Sequence, residues 1–139
     1  MSGHENVKIL QKYFEQFSAQ DMDGMDRLLS DDFTVEIATG AEGPMNKAQH
    51  RQYIQNFLSA FPDGRFDVTL TVAEGNYVVA HWIAMATHTG PLGTPAGITI
   101  PASGKQVKVP GVSTAEVKNG KIARYWVFWD TPALSPFYF

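Results

Sequence analysis

The sequence predicts an α+β fold in which three N-terminal helices pack within a curved antiparallel sheet. Three observations predict it. Apolar residues recur at helical spacing as far as Phe61, the period changes to two from Arg65 onward, and Asn119-Gly120 gives a tight hairpin signal between the last two strands.

Each element has its own local signal. Ser2 followed by Glu5 has capping-box spacing, and Val7, Leu10, Phe14 and Phe17 then recur as one stripe with Tyr13 beside it, a first helix. Asp21 can cap a short second helix striped by Met22, Met25 and Leu29, although Gly24 costs it about 1 kcal/mol relative to alanine. "DDFTVEIA" reads as a short strand and "GAEGP" as a break. Asn46 and Gln49 form another capping pair, ahead of a third helix that carries Tyr53, Ile54, Phe57 and Phe61 and stops at Pro62. Phe66, Val68, Leu70 and Val72 then alternate with Asp67, Thr69 and Thr71, the pattern of a half-buried strand. "EGN" turns the chain into a long strand from Tyr77 to about Thr89. The Gly- and Pro-rich "GPLGTPAGITIPASG" follows as a candidate lid, or equally a plain surface loop. A strand from Lys105 to Val117, with a bulge expected at Pro110-Gly111, leads through the hairpin to a last strand, Lys121 to Asp130.

Composition narrows the function classes. The 139 residues are one domain by size, 1–139, and 44% hydrophobic content with 18% charge suffices for a real core. A net charge of −3 without clustered Lys or Arg argues against nucleic acid or an anionic membrane as partner. With no cysteine there is no disulfide, thiol or thiolate-metal chemistry. "MSGHENVK" lacks the apolar stretch of a signal peptide, and no window approaches the roughly 20 apolar residues of a membrane span, so the expectation is a soluble, cytoplasmic protein. A sheet curved around helices leaves a cone, and the 12% aromatic content suits either a pocket for a flat hydrophobic ligand or an ordinary core.

The candidate site residues follow from strand parity. In "RYWVFWD", Asp130 shares a face with Trp126 and Phe128 if the run is a strand, so its carboxylate borders apolar surface. Aromatic walls would disfavour ionisation and raise its pKa toward the range useful for moving protons; the alternative is an Asp that ends the strand by bonding the backbone across "DTP". His88 shares a face with Trp82, Ala84 and Ala86 and stands where the lid begins, so it is a candidate hydrogen-bond donor to a bound ligand, or a structural histidine. His81 is an odd number of residues away, His4 and His50 are isolated, and no HxH or HExxH spacing occurs, so no metal site is expected. Tyr13 offers a hydroxyl to the cone or packs in the helical stripe. Trp82, Trp126 and Phe128 are expected pocket liners, and of Trp82 and Met85, on opposite faces, only one can face a ligand. "GPLGTPAG" lacks the GK[ST] of a phosphate cradle.

The element order together with "DMDGMDRLLSDDFTVE", "AFPDGRFDVTLTVAEGNYVVAHWIAMATHTG", "GVSTAEVKNGKI" and "YWVFWD" resembles the SnoaL-like polyketide cyclases of the NTF2-like superfamily, over nearly the whole chain to about Leu134. The resemblance implies a cone-shaped α+β barrel, usually a homodimer, without metal or organic cofactor, that takes a small hydrophobic, aromatic or polycyclic ligand. It implies that the acid/base is the aspartate near the end of the last strand, here Asp130, and that Ser113 faces inward. The reaction implied is an intramolecular aldol condensation: a base removes a proton from a carbon flanked by carbonyls, the enolate attacks a nearby carbonyl, and the alkoxide is protonated. The chain is similar, more distantly, to the ketosteroid isomerases, whose hydrogen-bonding tyrosine matches Tyr13, whereas their two pocket aspartates correspond to Ile37 and Ser113. A non-catalytic ligand-binding protein, or an isomerase or dehydratase of the same fold, is the alternative.

Overall fold

The structure is a computed structural model and describes residues 3–37, 43–93 and 97–129. The first helix, α1 (Gly3–Ala19), buries its Leu10, Tyr13, Phe14 and Phe17 stripe. It ends at Gln20, whose φ of 59° is the left-handed conformation of a helix C-terminus; the amides of Gln20 and Asp21 bond back to the carbonyls of Phe17 and Gln16. Asp21 then caps α2 (Met22–Arg27), its Oδ1 accepting from the Gly24 amide at 2.8 Å. Gly24 has a purpose the propensity scale misses: a Cβ there would run into the Asp21 carboxylate, so glycine is what lets the cap close.

The first strand, β1 (Leu29–Ile37), begins two residues earlier than expected, so Leu29 belongs to the sheet and not to the stripe of α2, and it pairs with the short β2 (Met45–Asn46). Asn46 and Gln49 form a full capping box, with both reciprocal bonds at 2.9 Å, and start α3 (Lys47–Ala60). The remaining strands are β3 (Arg65–Glu74), β4 (Tyr77–Thr87), β5 (Leu92–Gly93), β6 (Thr99–Ile100), β7 (Gln106–Lys118) and β8 (Lys121–Trp129). Six of the eight form one sheet in the order β2-β1-β8-β7-β4-β3, while β5 and β6 pair separately. All ladders are antiparallel except β1 with β8, which run parallel and join the first strand to the last. Asn119 and Gly120 both adopt positive φ, 53° and 77°, as a two-residue hairpin turn requires.

Two details of the sheet differ from the sequence expectation. The pairing of β4 with β7 runs without interruption through Pro110 and Gly111, so no bulge lies there against β4; register shifts fall instead between Leu29 and Thr34, between Val68 and Leu70 and between Glu116 and Val117. The shift after Val68 reverses the faces of β3. Phe66 and Val68 point to the core, but beyond Thr69 the same alternation puts Leu70 and Val72 outside, 52% and 54% exposed.

The main core lies between α1, α3 and the concave side of the sheet, built from residues such as Leu10, Phe14, Val78, Ala80, Ala115 and Ile122. A smaller cluster of Ala60, Phe61, Ala86, Leu92, Val107 and Val109 lies under the return from β4 to β7. No described helix is long and apolar enough to cross a membrane.

Candidate functional site

The helices do not fill the cone. Between α1, α3 and the inner faces of β4, β7 and β8 lies a hollow of about 110 Å³ whose wall is almost wholly apolar. An engineered apolar cavity of about 150 Å³ in another protein stays dry and admits benzene, so this volume suits roughly one ring.

The inward residues of β8 are Tyr125, Val127 and Trp129, and those of β7 are Val107 and Val109. Trp82 on β4 turns its edge against Phe66, at 4.7 Å between ring centroids and 82° between planes. Its place depends on Gly111: any Cβ there would overlap the Trp82 ring and stand 2.6 Å from the carbonyl oxygen of Phe128. Met85 also borders the hollow, with its register partner Arg65, so both Trp82 and Met85 contribute despite their opposite parity.

The few polar groups of the wall are sorted by one residue. Ser113, fully buried behind the wall, accepts hydrogen bonds from Trp82 Nε1 at 2.9 Å and Tyr125 Oη at 2.7 Å. Both side chains thereby offer the hollow only their carbon surfaces. Deeper in, Tyr13 Oη and His50 Nε2 lie 2.8 Å apart, and the Tyr13 ring is 5.0 Å from that of Tyr125. Burial, reinforced by Tyr125 and Tyr53, raises the Tyr13 pKa well above 10, so its phenol is neutral. Burial lowers the His50 pKa to about 4, against an opposing pull from Asp26, so the imidazole is also neutral near pH 7. The Nε1–H of Trp129 is buried with no hydrogen-bond partner among the described residues.

The sequence-derived candidates divide accordingly. Tyr13 and Trp82 line the hollow, and Ser113 is inside but acts through its neighbours. Trp126 and Phe128 do not reach it: the inward parity of β8 belongs to Tyr125, Val127 and Trp129, so these two side chains lie on the outer face. There the Arg124 guanidinium sits 4.8 Å over the Trp126 ring and Phe128 is 51% exposed. Asp130 lies outside the described residues; the shared face with Trp126 and Phe128 no longer argues for its placement in the pocket. His88 is fully buried but does not border the hollow. Its ring stacks on Phe61 at 5.1 Å, its Nδ1 lies 3.1 Å from Ser103 Oγ, and its backbone bonds Lys105 and Gly104. It fastens the β4–β7 return, and the candidate lid that begins there is held down by the buried Leu92 and by Thr89 and Gly90 amides on the Ala60 carbonyl.

His50 is the residue that sequence reasoning missed. Its signal was its phase: His50, Tyr53, Ile54 and Phe57 share one helical stripe, which places an imidazole among apolar neighbours. Among the described residues no group of three His, Asp or Glu side chains is arranged to hold a metal.

Helices enclosed by a strongly curved sheet around an apolar hollow define the NTF2-like class of α+β cones. The chain belongs to the SnoaL-like polyketide cyclase family, whose model matches residues 7–136. A protein of Jannaschia sp. CCS1 assigned to the SnoaL-like polyketide cyclases superposes with a TM-score of 0.83 at 22% identity, covering 97% of this chain and 92% of that one. IdmH of Streptomyces antibioticus, assigned as a polyketide cyclase, gives 0.80 at 18% identity over 94% and 96%. AclR of Streptomyces galilaeus, assigned as a hydroxylase, gives 0.81 at 21% identity over 96% and 80%. At these identities the likeness concerns the fold. No curated protein matches the sequence significantly.

Proposed function

We propose that the protein is an enzyme of polyketide cyclase type that moves protons on a hydrophobic carbonyl compound without a cofactor, with Tyr13 as hydrogen-bond donor to the substrate oxygen and Asp130 as acid/base. The observation that carries the reading is an almost wholly apolar hollow whose wall holds the neutral Tyr13–His50 pair. In such a site a phenol donor stabilises a developing enolate oxygen far more than water would, because nothing reorganises around it. The base must come from elsewhere, since an imidazole with a pKa near 4 is a weak proton acceptor. Asp130, which follows Trp129 directly in the sequence, is the acid the family resemblance points to. Ring closure by aldol condensation then needs one proton removed from carbon and one returned to oxygen.

The test is turnover of a β-dicarbonyl or aromatic polyketide ester by Asp130→Asn and Tyr13→Phe. A fall of about 10²- to 10⁴-fold for Asp130→Asn with an intact fold is expected, and unchanged turnover would remove Asp130 from the reaction. A second reading, a binding protein without chemistry, is favoured by the wall itself, in which neither Tyr13 nor His50 is a proton acceptor of useful strength near pH 7. Saturable quenching of Trp82 and Trp129 fluorescence with no product would select it. The same proposal takes the protein as a homodimer. The register sets Leu70, His81, Val112 and Phe128 in one row across the outer face, where exposed apolar side chains suit a second copy. Sedimentation of Phe128→Asp as monomer, against a dimeric parent, is the expected outcome.

A further inference from the structure

We infer that His50 is a positioning residue that donates its Nε2–H to Tyr13 Oη, leaving the Tyr13 hydroxyl proton to point into the hollow toward a carbonyl oxygen. This deepens the proposed function and rests on it for its chemical purpose, but the hydrogen-bond direction stands on geometry alone. The two groups lie 2.8 Å apart, and either could donate, depending on which ring nitrogen carries the proton. Nδ1 decides between them. It is buried and has no hydrogen-bond partner among the described residues. A proton on Nδ1 would leave a buried N–H with no acceptor, whereas a proton on Nε2 leaves only a bare nitrogen lone pair, the less costly of the two vacancies. Asp26 favours a positive ring edge, yet its carboxylate is committed to Arg51 at 2.7 Å and forms no hydrogen bond to the imidazole.

The consequence for ligand choice follows from what the rest of the wall has already spent. Trp82 and Tyr125 give their protons to Ser113. With His50 as donor, the Tyr13 proton is not consumed within the protein. The site therefore recognises a compound with an acceptor oxygen on an apolar ring, and the His50 bond polarises the Tyr13 hydroxyl further, as linked hydrogen bonds do.

The experiment has two arms. In the ¹⁵N-histidine spectrum of the unliganded protein at pH 7, His50 should show a protonated Nε2 and a bare Nδ1; the opposite tautomer overturns the inference whatever the protein's activity. In the second arm, carbonyl-¹³C acetophenone is the probe and its C=O stretch is read by infrared. The parent should shift the stretch to lower frequency, and Tyr13→Phe should abolish the shift and weaken binding about 5- to 10-fold, the value of one hydrogen bond in a dry site. His50→Leu should reduce the shift, and His50→Gln, which keeps an N–H at the Nε2 position, should restore it. A larger shift in His50→Leu would mean that Tyr13 had been donating to His50, and an absent shift in the parent would mean that the proton does not reach the hollow; either rejects the inference. Because neither arm measures turnover, failure of the cyclase reading and failure of this one are separable.

Discussion

The two fully enclosed histidines sit in regions that treat an imidazole in opposite ways. Around His50 there is an apolar gap, and its hydrogen-bond partner is another side chain, Tyr13, that lines the same gap. Around His88 the space is packed shut, the ring lies flat on Phe61, and the bonds run to Ser103, Lys105 and Gly104 on the return segment. Sequence position favoured His88, at a strand end beside a Gly-rich loop, over His50 in mid-helix. What distinguishes the two histidines is unfilled volume beside His50, and volume is not written in local sequence.

The difference predicts a graded set of responses. The largest is His88→Ala, which removes a stacked, fully buried ring and should cost about 3 kcal/mol, read as a shift in denaturation midpoint at constant slope. Acetophenone binding in the hollow should stay near its parent value. If binding collapses while the fold persists, the separation of the two regions is wrong.

Acid should single out His50. With a folded pKa near 4 and an unfolded value near 6.5, the unfolded chain binds the extra proton between those values, so stability rises with pH across the window and is lost on acidification from about 6.5 to about 4. The loss amounts to about 3 kcal/mol at most, and His50→Leu should flatten the profile there. Asp63 loses stability in the same direction but at lower pH. Its carboxylate accepts from the amide and hydroxyl of Thr87, which holds its pKa below 3.8, so that contribution fades only as pH falls through this lower value.

Gly111→Ala tests the hollow from behind. Its methyl group meets Trp82, so a cost of about 1–3 kcal/mol is expected, together with altered tryptophan fluorescence and weaker acetophenone binding. The smallest effect belongs to the outer face. Val72→Thr, at an exposed position beyond the register shift of β3, should change monomer stability by under about 0.5 kcal/mol and leave the hollow untouched.

Much of the architecture was readable because it rests on local chemistry. The Asn46–Gln49 box, the Asp21 cap, the switch of period at Arg65 and the Asn119-Gly120 turn each leave a mark within a few residues. The site was harder. In β8 both parities are apolar, Tyr125, Val127 and Trp129 against Trp126 and Phe128, so alternation carried no contrast and could not say which row faces inward. The register shift near Thr69 is equally silent, since Leu70 and Val72 continue the pattern of Phe66 and Val68 while the backbone turns them out. Ser113 was expected inside from family resemblance alone, and its bonding to Trp82 and Tyr125 depends on three strands meeting.

The parallel seam between β1 and β8 also bears on how the chain folds. Its two strands are far apart in sequence, so this contact closes a much longer loop than the β3–β4 or β7–β8 turn and carries the larger entropic cost. A ribosome-bound chain keeps the edge of β1 bare until β8 has been synthesised. In that interval an unpaired strand edge is open to pairing with another chain.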